Sequence, residues 1–327
     1  MRQDSRILVC GARGLVGSAI VRRLATEGYR QILQPTRAEV DLTDRLAVDR
    51  YLAEAKPEYV FMAAARVGGI LANSTYPADF IRDNLAIELN VIDAAWSVGV
   101  TKLLMLGSSC IYPRGSPQPI REECLLTGPL EPTNAPYAIA KIAGIALCQS
   151  YAKQFGARFI SAMPTNLYGP GDNFDLESSH VIPALIRKCH EAKQSGAESV
   201  VVWGTGKPKR EFLYVDDLAG ACVFLMQQYE NAAPINVGVG EDISISELAR
   251  VIGGVVGFDR EIRFDSSKPD GAPRKLLDVG RINALGWRAS TGLSQGLTKT
   301  YEWYLEHDES ADVSGQRARI LLANGRR

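Results

Sequence analysis

Histidine is scarce and cysteine unpatterned in this 327-residue chain, which holds three histidines and six cysteines (10, 110, 124, 148, 189 and 222). None of the cysteines has C-x-x-C spacing, which argues against a zinc site or a disulfide frame and for free thiols in a reducing cytosol. Net charge is lacking too. Lys and Arg number 37 and Asp and Glu 37, so no field of one sign draws the chain to nucleic acid or anionic lipid. No apolar run is long enough to span a bilayer, and the N-terminal MRQDSR lacks the apolar core of a secretory leader. With 46% hydrophobic residues, the expectation is a cytoplasmic globular protein of one large or two interleaved domains.

What is present is alternation. RILVCG, RQILQP, EYVFMAAA, KLLMLGSS and RFISAMPTN read as short strands. Between them LVGSAIVRRLATEG, TDRLAVDRYLAEA, ADFIRDNLAIELNVIDAAWSVGV and PYAIAKIAGIALCQSYAKQFG carry helical spacing. Strand–helix alternation predicts an α/β protein, a parallel sheet covered on both faces. After about residue 166 the pattern turns irregular and rich in Pro and Gly, as expected of a smaller region over the carboxyl ends of the strands. The expected division is 1–166, rejoined by about 214–240, then 167–213 with 241–306, and a tail over 307–327.

Gly11, Gly14 and Gly17 of GARGLVG open the first helix directly after the first strand. Glycine there lets the backbone turn tightly and approach a pyrophosphate, which sits on free N–H groups at the positive helix end. The spacing G-x-x-G-x-x-G at this junction predicts a Rossmann-type, doubly wound dinucleotide fold. At the end of the second strand, where a carboxylate would meet a ribose 2′-hydroxyl, stands Arg37, and Arg13 lies inside the loop. Two guanidinium groups suit a 2′-phosphate, so NADP is the expected cofactor. Asp41 lies beyond the strand end, where it is placed to meet the adenine.

Tyr137 and Lys141 in NAPYAIAKIAGI are four residues apart on a helix, so they leave one face, and the ammonium is expected to lower the phenol pKa. Ser108, Ser109 and Cys110 follow the fourth strand, at the sheet edge where ligands bind in such folds. With G-x-x-G-x-x-G, a Ser after the fourth strand and Y-x-x-x-K, the chain resembles the extended short-chain dehydrogenase/reductase family. The resemblance implies that Tyr137 exchanges the proton at a carbonyl, that Lys141 holds the nicotinamide ribose and that Ser108 orients the substrate oxygen. It further implies a cofactor seat of Gly11, Ala12, Arg13, Gly14, Leu15, Val16, Gly17, Arg37, Asp41, Leu42, Leu106, Gly107, Ser108, Ser109, Lys141, Pro164, Thr165, Asn166, Leu167 and His180.

AAARVGGI, NSTYPADFI, LGSSCIYP, EPTNAPYAIAKIAGI, MPTNLYGPGDNF, SHVIPALIRK and SKPDGAPRKLLD resemble the GDP-sugar 3,5-epimerase/4-reductases of that family over about residues 6–306. That likeness implies a smaller C-terminal substrate domain and NADPH-dependent action on GDP-4-keto-6-deoxy-D-mannose. It also implies Cys110 and His180 as the acid–base pair of epimerisation, and a homodimer formed by helices at 77–98 and 136–155. Lys188, Trp203, Arg210 and Asp270 match its substrate-contacting positions. Arg274 and Lys275 lie near the substrate or form a structural ion pair, and Trp203 contacts substrate or packs in a core. A related epimerase/reductase making another deoxysugar, such as GDP-colitose, is the alternative.

Overall fold

The computed structural model describes residues 1–176, 178–268 and 270–307, so the expected tail after His307 lies outside the described residues. In chain order the elements begin β1 (Arg6–Cys10), α1 (Leu15–Thr26), β2 (Gln31–Leu33), α2 (Arg45–Ala55), β3 (Tyr59–Met62), α3 (Ile70–Thr75), α4 (Pro77–Ser97) and β4 (Lys102–Leu106). Next come α5 (Ala135–Phe155), β5 (Phe159–Pro164), β6 (Asn166–Tyr168), α6 (Val181–Ser195), β7 (Ser199–Trp203), β8 (Lys209–Arg210), β9 (Phe212–Tyr214) and α7 (Val215–Gln228). The series closes with β10 (Ile235–Val237), β11 (Ile243–Ser244), α8 (Ile245–Val256), β12 (Glu261–Asp265), β13 (Arg274–Lys275), α9 (Gly280–Ala284) and α10 (Leu293–His307).

Six strands form one parallel sheet in the order β2-β1-β3-β4-β5-β10. β4 and β5 are buried along their whole length, as parallel strands covered on both faces must be. α1 packs against α7, while α4 packs against both α2 and α5, and these two helix groups sandwich the sheet. The strand order reverses between β1 and β3, and the carboxyl ends of the strands at that point are where folds of this kind bind their ligands. This is the doubly wound α/β fold the alternation predicts.

Local chemistry fixes the helix ends. Asp44 caps α2 by accepting from the backbone N–H of Leu46 and Ala47. Ser244 and Glu247 form a reciprocal capping box on α8. α5 is apolar nearly all round, rich in Ala and Ile, and only part of its surface meets α4 and the sheet.

Two hydrophobic clusters divide the interior. The larger surrounds the six-stranded sheet and takes in α7 through Leu218, Ala221, Cys222 and Leu225. The smaller joins Ile182, Leu185 and Ile186 of α6 to Val200 and Val202 of β7, Leu248 and Ile252 of α8, and Leu297 and Tyr304 of α10. β6 and β9 run parallel as a two-stranded pair, and β11, β8 and β13 make a small sheet whose register sets Lys275 opposite Arg210.

Candidate active site

At the start of α1, Gly11 takes φ +77°, and a β-carbon there would stand 2.9 Å from Ala64 Cα. Only glycine fits, because the conformation is left-handed and the neighbouring chain is backbone. Gly14 is the N-cap of α1; it offers no side-chain cap, and the first turn carries no acid. The leading N–H groups therefore stay available to an anion, the condition a pyrophosphate requires. Ala12 and Gly17 are buried, Leu15 and Val16 half-buried, and Arg13 exposed.

Beyond β2, Arg37 reaches Asp41 Oδ2 at 3.3 Å, and Asp41 Oδ1 accepts from Thr43 N (2.9 Å) and Thr43 Oγ1 (2.7 Å). The Thr43 hydrogen bonds, and then Arg37, hold the Asp41 carboxyl below its usual range. Asp41 thus steadies a guanidinium that remains largely exposed, and no ion pair to another described residue occupies Arg13. These two cations suit a phosphate on the adenosine ribose. Leu42 accepts through its carbonyl from Asn90 Nδ2 at 3.0 Å, which ties this loop to α4.

At the end of β4 the chain is tightly packed. Leu106 and Ser109 are buried, and a β-carbon on Gly107 would lie 2.4 Å from Met163 Sδ. Ser108 caps the short turn Ser109–Ile111 by accepting from Cys110 N at 3.3 Å. That turn packs against α5, so the hydroxyl, the Cys110 thiol and the α5 side chains meet at one strand end. On α5, Lys141 Nζ lies 5.8 Å from the centre of the Tyr137 ring, the shared face expected of an i, i+4 pair.

One electrostatic expectation is corrected here. Tyr137 is pushed well above its ordinary value, by burial first and then by the nearby Cys110 and Glu88. Lys141 alone would lower it, but Glu88 Oε1 stands 3.2 Å from Lys141 Nζ with both side chains buried, and so offsets the charge. Cys110 is likewise raised by burial, against the opposing pull of Lys275, Ser108 and Lys141. It therefore holds a proton and can give one. His180 is the N-cap of α6 with extended backbone, and desolvation lowers its imidazole, which leaves a neutral ring able to accept a proton. No hydrogen bond joins the His180 ring to Cys110 or to another described residue.

At the end of β5 and just beyond it, Pro164 and Thr165 are buried and Leu167 is half-buried. Thr165 N donates to Val237 O at 3.0 Å and Asn166 Nδ2 to Glu211 O at 2.8 Å. In the smaller sheet and its neighbours, Lys188 Nζ sits 5.7 Å and Lys268 Nζ 5.3 Å from the centre of the Trp203 ring. Trp203 is 64% exposed, so its indole is no part of the core. Arg210 is half-buried and faces the Asp270 carboxylate, which accepts from Thr205 N (2.9 Å) and Thr205 Oγ1 (2.6 Å). Arg274 pairs with Asp242, whereas Lys275 has no ion pair among the described residues and faces Cys110.

Three residues escape sequence reasoning. Glu88 is a lone acid on the buried side of α4, flanked by Asn84, Ile87 and Val91; an acid in an apolar stripe is the signal that could have marked it. Lys268 has no such signal. Glu211 is fully buried and accepts from Val239 N (2.6 Å), Gly240 N (2.7 Å) and Leu277 N (3.0 Å), which fixes the backbone around Arg210 and Lys275.

Residues 7–240 match the model of the NAD dependent epimerase/dehydratase family. GDP-L-fucose synthase 1 of Arabidopsis thaliana is 56% identical over 305 residues, covering 93% of this chain and 94% of its own. GDP-L-colitose synthase of Yersinia pseudotuberculosis is 37% identical, with 92% and 98% covered. Among solved structures, a GDP-L-fucose synthetase from Naegleria fowleri bound to NADP superposes with a TM-score of 0.88 at 34% identity, covering 95% and 96%. The glycine cradle, the Ser108 turn and the Tyr137–Lys141 pair therefore stand in a chain of known descent: it belongs to the NAD dependent epimerase/dehydratase family.

Proposed function

We propose that the protein converts GDP-4-keto-6-deoxy-D-mannose to GDP-L-fucose in two steps, 3,5-epimerisation followed by reduction of the C4 ketone. The observation that carries this reading is the convergence of Cys110, Ser108, Tyr137 and Lys141 at the end of β4, in a chain 56% identical to a GDP-L-fucose synthase. The colitose-forming alternative is disfavoured by the lower identity, 37%, of the colitose synthase.

Both C3 and C5 adjoin the ketone, so a proton removed from either leaves an enolate stabilised by the C4 oxygen. Cys110 and His180 are the acid–base pair: one takes a proton from one face of the sugar, and the other returns one from the opposite face. A neutral imidazole and a protonated thiol meet that need together. NADPH supplies the hydride to C4. Tyr137 donates the proton to the C4 oxygen, Ser108 orients that oxygen, and Lys141 places its charge beside the phenol and the ribose.

The loop Gly11–Gly17, with Leu106–Ser109 and Pro164–Leu167, seats the dinucleotide, and Arg13 and Arg37 hold its 2′-phosphate. Residues 1–166 with 214–240 act as the cofactor domain, and 167–213 with 241–306 as the substrate domain. There Trp203 offers a flat face to guanine, while Lys188 and Arg210 meet the diphosphate, with Asp270 orienting Arg210. Two copies pair through α4 and α5, which expose Leu89, Ile139 and Phe155. The site of action is the cytoplasm, in keeping with six free thiols and no helix among the described residues long and apolar enough to cross a membrane.

The test is NADPH oxidation on adding GDP-4-keto-6-deoxy-D-mannose, for wild type, Cys110→Ser and Tyr137→Phe. Turnover in wild type and its loss in both variants is expected. Normal fucose formation by Cys110→Ser would remove the thiol from the mechanism, and silence in wild type with NADPH bound would overturn the substrate.

A further inference from the structure

A carboxylate stands behind the Tyr137–Lys141 pair that the proposed chemistry does not use. Glu88 leaves the middle of α4 and meets Lys141 on α5 at 3.2 Å, with side chains 1% and 3% exposed. Burying two charges is costly unless they are paired, so this contact is not incidental to the packing. α5 is shaped for it. Gly144, one turn beyond Lys141, is buried in the helix, and a β-carbon there would lie 2.7 Å from Glu88 Oε2 and 2.4 Å from Met105 Cε. A glycine inside a helix costs about 0.5–1 kcal/mol relative to alanine, and here it leaves room for the carboxylate.

We propose that Glu88 is a positioning residue of the reductive half-reaction: it seats the Lys141 ammonium beside Tyr137 and offsets part of that charge at the phenol. This rests on the reading of Tyr137 as proton donor to the ketone. The charged and titratable groups around the phenol are Lys141 on its own helix, Glu88 from α4 and Cys110 from the turn after β4. Cys148 on α5 faces Glu88 and Lys141, and Lys275 faces Cys110. Of these, Glu88 alone touches the ammonium directly.

The experiment compares wild type with Glu88→Gln in two assays. Deuterium exchange from solvent at C3 and C5 without NADPH reads epimerisation, and NADPH oxidation read from pH 6 to 10.5 follows reduction. The amide keeps the shape and removes the negative charge. Reduction is expected to fall about tenfold at neutral pH as Lys141 loses its seat. The alkaline limb, which lies beyond that window in wild type, should move down toward and into it, because a phenol without an anionic neighbour ionises sooner. Exchange should stay within about twofold, since its acid and base lie elsewhere. A limb that does not move, or exchange and reduction falling in proportion, would reduce Glu88 to a structural ion pair and overturn the proposal.

Should Glu88→Gln fail to fold, Gly144→Ala pushes on the same carboxylate while favouring the helix, and the same split between the two assays is expected. Reduction and exchange that both stay normal in that variant would overturn the proposal as well. Wild type that exchanges but does not oxidise NADPH would instead refute the reductase reading on which this rests.

Discussion

A β-carbon on Gly17 would stand 2.0 Å from the carbonyl oxygen of Gly11. The two glycines let the first turn of α1 close against the end of β1, and the obstacle is backbone, which cannot swing aside. Gly17→Ala should therefore lower the melting temperature by several degrees, given about 1–3 kcal/mol for an overpacked site. NADPH affinity should fall at least tenfold as the loop is pushed open. Gly14→Ala is the control, since its β-carbon would lie 3.5 Å from Gly11 O and its φ is −80°. Thermal melts and NADPH fluorescence titrations on both variants decide it.

Selectivity for the phosphorylated cofactor should reside in Arg13 and Arg37. A hydrogen bond to a charged group contributes about 1.5–3 kcal/mol, so replacing both by Ser should weaken NADPH binding about 100-fold. NADH binding should hardly change. Stability should not move, because the Arg37–Asp41 pair is largely exposed. Equal losses for NADPH and NADH would place the 2′-phosphate elsewhere.

How much of this was legible before the structure follows from how far apart the partners lie. The glycine loop and the Tyr137–Lys141 pair are local patterns, readable because the helical period fixes what shares a face. The parallel sheet was readable from apolar runs at regular intervals. Glu88 was not, since its partner lies 53 positions away and only the packing of α4 on α5 joins them. The direction of the Tyr137 shift was lost for the same reason: burial and Glu88 outweigh Lys141, and neither can be inferred from an i, i+4 spacing. Trp203 ends an apolar run, VVVW, yet lies 64% exposed because β7, paired among the described residues with β12 alone, alternates buried with exposed positions.

That exposed indole leads to a prediction about substrate affinity. Trp203 carries an ammonium near its ring from each of Lys188 and Lys268. A guanine stacked on an aromatic ring gains about 1–3 kcal/mol. Trp203→Ala should accordingly raise KM for the GDP-sugar about tenfold and leave kcat within twofold. Lys268→Ala should raise KM by a smaller factor. An exposed ring contributes little to stability, so the melting temperature should stay put. A fall in kcat with KM unchanged would instead tie Trp203 to the chemistry.

Acid sensitivity should centre on Glu230. Lys102 on β4 is fully buried, and its ammonium reaches Glu230 Oε1 at 3.0 Å and Leu225 O at 3.3 Å. Arg158 Nε also holds Glu230 Oε2 at 2.8 Å. Arg158 and Lys102 together hold the Glu230 carboxyl down to about 2 from 4.5. A carboxyl whose folded pKa is depressed stabilises the fold fully above the unfolded value, and that contribution is lost as pH falls through 4.5 toward 2. Glu230→Gln should cost about 1–3 kcal/mol at pH 7, a figure discounted for the half-exposed carboxylate but sustained by the buried ammonium it abandons. Urea unfolding at pH 7 and again near pH 3 gives the check. The gap between variant and wild type should narrow at the lower pH, because wild type then protonates the same group; a gap that stays constant would mean that Glu230 acts through packing and not through its charge.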